Sequence, residues 1–186
     1  MATNLMQSVQ TVSGNQPRIR DIPEAATQAF LAGTPVALNS SGDVIAWGGS
    51  DHAATIGSII GIAKNPGKGL VTAGVPLQIT QGSVPNQPLA QNIQRPYFDP
   101  DGNTLFETAD PDTIFSGQVG PTQSVTQANV GVAYGMAIDS DFHWYVDTSN
   151  TSTPVCIVVK LDPNDQNATK RGVYFRFLVG SVQPIS

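Results

Sequence analysis

The sequence predicts an all-β protein: a small β-barrel-like domain with an extended N-terminal arm and a long proline-rich loop insertion. Three observations predict it. The apolar residues fall in short runs rather than long periodic stretches. The 18 glycines and 14 prolines are spread along the chain and interrupt it too often for long helices. The final third also shows inward–outward alternation, clearest in Val173-Tyr174-Phe175-Arg176-Phe177, where every second residue is apolar.

Residues 1–20 are polar and without sustained period, and Gly14 and Pro17 break any helix. Two readings fit: a tail without fixed structure, or an extended arm that orders against a neighbour. Val9, Val12 and Ile19 suit a strand and favour the arm, which leaves residues 21–186 as a single domain. Residues 21–32 hold the one helical signal, with Pro23 at a first helical position, Glu24 beside it and Gly33 as the stop. Residues 34–38 and 44–47 read as a hairpin around the polar turn 39–43. Residues 56–63 read as a strand containing Gly57 and Gly61, and glycine inside a strand marks a bulge, a corner or a close backbone approach.

Residues 70–80 read as a further strand. There the pattern Ala-Gly-x-Pro-apolar-x-apolar, first seen from Ala32, recurs from Ala73, a weak two-copy repeat. Residues 82–125 read as an irregular insertion, because Gly82 and the six prolines Pro85, Pro88, Pro96, Pro100, Pro111 and Pro121 forbid regular elements of any length. Its anchors are Tyr97, Phe98, Leu105, Phe106, Ile114 and Phe115, expected to pack on a neighbour or cover the barrel. Residues 130–138, 143–146, 155–161 and 173–179 read as four strands.

Composition narrows the function classes. Only 12% of residues are charged, and the formal net charge is -5, so solubility rests on uncharged polar side chains. Nine Lys and Arg scattered among fourteen acids do not make a phosphate-binding surface, and no nucleic-acid partner is expected. No run reaches the about 18 apolar residues of a membrane span, and residues 1–10 do not read as a signal peptide. The protein therefore reads as made in a cytosol, with the Asn-x-Ser/Thr triplets at Asn39, Asn150 and Asn167 unglycosylated.

No catalytic, cofactor or metal site is expected. Cys156, the sole cysteine, lies in an apolar run and reads as a buried thiol. His52 and His143 sit in unrelated contexts, short of the three or four ligands of a zinc site. The acidic stretches 99–103 and 162–167 read as turns: an EF-hand beginning at Asp99 would put Thr104 where glycine is required and Asp110 where the bidentate Glu belongs. Trp47, Trp144 and Tyr145 fit a core or interface better than a carbohydrate platform.

The arrangement aromatic-x-x-Gly-x-Pro-Val-x-Leu, Gly-x-Val, Ile-x-Gly-Ile-Ala between Phe30 and Ala63 resembles the head decoration (cement) proteins of tailed bacteriophages. Gly131-Val132-Ala133 is similar to a glycine strand of that family. The resemblance implies a tulip-shaped barrel and binding to the outer surface of a phage capsid through the major capsid protein. It also implies a homo-oligomer, often a trimer, a virion location and no enzymatic activity. The candidate interface residues are Val9, Val12, Ile19, Tyr97, Phe98 and Phe106. The rival reading is a phage adsorption or fibre-type carbohydrate-binding module built on the tryptophans.

Overall fold

A computed structural model describes residues 6–14, 16–26, 28, 30–48, 58–67, 103–139, 143–165 and 170–183. Among them are eleven strands: β1 (Gln7–Thr11), β2 (Ile19–Pro23), β3 (Pro35–Leu38), β4 (Val44–Ala46), β5 (Ile59–Ala63), β6 (Asn103–Thr108), β7 (Thr113–Gln118), β8 (Ala133–Ile138), β9 (Trp144–Asp147), β10 (Cys156–Leu161) and β11 (Gly172–Phe177). They form two antiparallel sheets, ordered β1-β7-β11-β10-β8-β9 and β2-β6-β5-β3-β4.

The alternation in β11 is realised as read. Val173, Phe175 and Phe177 are buried, while Tyr174 and Arg176 lie on the other face. Phe115 of the neighbouring β7 meets Phe175 and Phe177 at ring-centroid distances of 5.9 and 5.4 Å. This aromatic cluster joins Ala37, Ile59 and Ile62 of the second sheet in one core, to which Trp47 and Trp144 add rings 5.3 Å apart. The two sheets are thus held face to face by shared apolar burial.

A second core fills the other face of the second sheet. All five of its strands contribute: Ile22, Phe106, Ile60 with Ala63, Val36 with Leu38, and Val44 with Ala46, with Phe30 packed among them. β5 serves both cores because a register shift in its ladder with β3 rephases the side chains. Ile59 and Ile62 enter the shared core, and Ile60 and Ala63 the second. Gly61, between them, is the close-approach glycine: a Cβ there would stand 2.3 Å from the Glu107 carbonyl oxygen.

Each sheet curls until its far strand returns. Glu24, just after β2, bridges Val44 of β4, and Val119, just after β7, bridges Val146 of β9. A single bridge is not a ladder, and neither sheet closes into a barrel among the described residues.

Three expectations change. The helical signal at 21–32 gives way to β2, which pairs with β6 from Ile19↔Glu107 to Pro23↔Asn103. Thr108 N–H donates to Arg18 O, so alternation turns the backbone groups of Arg20 and Ile22 toward β6 and leaves those of Pro23 facing away from it, where the missing N–H costs no bond in that ladder. The arm is not separate from the domain, since β1 and β2 are edge strands of the two sheets. The later part of the expected insertion is regular: β6 and β7 are inner strands, and Pro111 and Pro121 occupy the turns that follow each. The strand expected at 70–80, the second repeat copy, Tyr97 and Phe98 lie outside the described residues.

Candidate contact surface

The N-terminal segment supplies an edge strand to each sheet. β1 runs antiparallel to β7, from Gln7↔Ser116 to Thr11↔Thr113, and β2 runs antiparallel to β6. β6 and β7 are joined by a corner at 109–112 that passes from one sheet to the other, and residues 12–14 and 16–18 lie along it. Val12 N–H donates to Asp112 O at 2.8 Å, Ser13 N–H donates to Asp112 Oδ1 at 3.0 Å, and the Ser13 hydroxyl donates to Asp112 Oδ2. Thr108 Oγ1 donates to Arg18 O at 3.2 Å. Gly14, at φ +79°, makes the corner turn that suits a residue without Cβ.

Met6 fastens the start of this ribbon by entering the shared core. The outward side carries the apolar exposure. Val9, Val12 and Ile19 are 41%, 60% and 53% exposed, and they make up three of the five large hydrophobics that stand exposed among the described residues. Of the other candidate interface residues, Phe106 is fully buried in the second core and is corrected to a packing residue, as are the expected anchors Ile114 and Phe115. Sequence reasoning missed Met6 as an anchor and Arg20, Asp21 and Pro23 as edge residues. The apolar spacing Ile19 to Ile22 is i, i+3, which fits a helix face and hid the strand.

Polar side chains elsewhere staple turns. Asn39 Oδ1 accepts from the N–H groups of Ser41 and Asp43, both at 2.9 Å, closing the β3–β4 turn. Asp165 Oδ2 accepts from the N–H groups of Arg171 and Gly172, and Asp162 Oδ1 from that of Asn164, so Asp162 and Asp165 are turn residues. Burial pushes Asp147 upward, but hydrogen bonds from the Ser149 hydroxyl, the Gln123 amide and the Ser149 N–H outweigh it, and its carboxyl titrates below the ordinary value. Burial, then the nearby charges of Asp147 and Asp139, raise Tyr145.

Cys156 is fully buried, and desolvation drives its thiol far above the ordinary range, which removes thiolate chemistry. His143 stands at the mouth of the β8–β9 hairpin, its Nδ1 3.5 Å from Asp139 Oδ1, while His52 lies outside the described residues. Among the described residues no three His, Cys, Asp or Glu side chains gather where they could hold a metal ion, and no helix is long and apolar enough to cross a membrane. Trp47 and Trp144 are buried against each other, so neither offers a ring face to a sugar. No family model matches this chain, and no curated protein or solved structure does.

Proposed function

We propose that the protein is a structural virion component that binds the outer surface of a phage capsid and cements the shell through contacts with major capsid subunits. In this reading it works as a homo-oligomer, a trimer seated where subunits meet, with a tulip-like body. The observation that carries the contact role is the exposure of Val9, Val12 and Ile19 on or beside the edge strands β1 and β2. A contiguous exposed apolar patch favours partner binding, and in this reading a capsid subunit covers these three side chains. The glycine-strand resemblance between Phe30 and Ala63 supplies the partner class. Contact with several subunits at once would favour the assembled shell by mass action.

The test is co-sedimentation with undecorated, expanded heads. The intact protein should pellet with them. A variant carrying Val9→Asp, Val12→Asp and Ile19→Asp should stay in the supernatant while keeping its circular dichroism. An intact protein that never pellets with heads sinks the proposal. Equal pelleting by both proteins moves the contact away from the N-terminal edge.

A further inference from the structure

The strand order repeats within the chain. The second sheet runs β2-β6-β5-β3-β4, and β1 apart, the first runs β7-β11-β10-β8-β9, the same order five strands later. Neighbours are antiparallel throughout both, and the registers agree. Phe106 pairs with Arg20 on one side and Ala63 on the other, while Phe175 pairs with Phe115 and Val158. Gly33 and Gly131, both at positive φ, stand just before β3 and β8 and donate their N–H groups to Ala63 O and Val158 O. Glu24 bridges Val44 as Val119 bridges Val146. Near each bridge a glutamine caps the returning strand: Ala46 N–H donates to Gln28 Oε1 at 3.1 Å, and Thr148 N–H to Gln123 Oε1 at 3.0 Å. Strands β2 to β11 are thus two copies of one five-stranded unit, in which β2 corresponds to β7 and Ile19 to Ile114.

The two copies differ at one edge. β7 carries β1 as an added antiparallel strand, with Gln10 opposite Ile114, and Ile114 is only 8% exposed. β2 ends its sheet among the described residues, and Ile19 is 53% exposed. The ladder with β6 turns the backbone groups of Arg18 and Arg20 inward, so those of Ile19 and Asp21 point outward, as those of Ile114 point to β1. Residues 18–21 are all exposed, with Arg18 and Arg20 on one face and Ile19 and Asp21 on the other. The occupied edge, residues 113–116, is uncharged and holds an uncharged strand, Gln7–Thr11. The β2 edge carries charges, which deter a neutral strand and favour one of complementary pattern.

We propose that the outer edge of β2 accepts an extended strand of a partner protein, laid antiparallel as β1 lies on β7, with acidic residues facing Arg18 and Arg20 and an apolar residue facing Ile19. The main-chain bonds go to Ile19 and Asp21, and the opposite-charge pairs set the register. Pro23, which has no N–H to give, stops the added ladder at that end. The proposal fixes the chemistry of the bound strand and not its owner, so it stands apart from the capsid reading.

The experiment uses the full chain and two capped synthetic peptides, Ser-Thr-Glu-Val-Glu-Thr-Ser and Ser-Thr-Lys-Val-Lys-Thr-Ser. Amide hydrogen exchange is followed residue by residue by NMR. In the free protein the N–H groups of Ile19 and Asp21 should exchange at least about tenfold faster than that of Ile114. The acidic peptide should slow Ile19 and Asp21 by about tenfold, saturably, and leave Ile114 unchanged, while the basic peptide should slow none of them. The double variant Arg18→Glu with Arg20→Glu, changed only at exposed side chains, should reverse the preference between the peptides. The comparison of the two peptides on the unaltered chain decides the matter if that variant fails to fold. Slow exchange at Ile19 and Asp21 in the free chain would mean that the edge is already filled, and would overturn the proposal. So would no slowing by either peptide, or equal slowing by both.

Discussion

Gly61 illustrates how much a single position can constrain this fold. Its missing side chain lets β5 approach the Glu107 carbonyl and the Phe106 ring, both closer than any Cβ could tolerate. Gly61→Ala should destabilise the protein by about 1–3 kcal/mol through forced strand displacement, read as a lower urea midpoint. Gly135 meets a similar limit, because the Asn150 amide occupies the space where its Cβ would go. At Asp147 the effect depends on pH. Its folded value is lowered, so its contribution is fully present above the unfolded value of about 4 and is lost as pH falls through the folded one. The wild type should therefore exceed Asp147→Asn in urea midpoint at pH 7, with the gap closing below about pH 4. A gap unchanged down to pH 2 would contradict this.

At the scale of elements, the N-terminal segment matters more than its composition suggests. It supplies an edge strand to each sheet, and it places Met6 in the shared core. Removing residues 1–23 should lower the urea midpoint clearly rather than leave the fold untouched, and an unchanged midpoint would show that the ribbon is dispensable. The strands of the final third and the β3–β4 hairpin were legible because their turns are marked by glycine, asparagine and aspartate and their strands show apolar runs or inward–outward alternation. β6 and β7 were not. Their strand residues, such as Thr104, Glu107 and Thr113, are polar yet buried, and prolines crowd the flanking turns. β1 and β2 were hidden for another reason. An edge strand is specified by its partner more than by its own alternation, and those partners lie far along the chain. Of the contact surface, Val9, Val12 and Ile19 could be read from sequence, whereas the burial of Phe106 depended on a curl of the second sheet that no local pattern encodes.

For the molecule as a whole, the shared core joins the sheets and predicts one cooperative transition. Fluorescence from Trp47 and Trp144 reports the contact between sheets, and far-ultraviolet circular dichroism reports the strands. The two signals should lose amplitude at the same urea concentration, and separate midpoints would mean that the sheets melt independently. Because Cys156 is the chain's lone sulfhydryl and lies at the centre of that packing, the native protein should be silent to a thiol reagent such as a colorimetric disulfide. The rate at which colour develops then clocks how often the interior opens to water, a gauge of breathing that needs no introduced label.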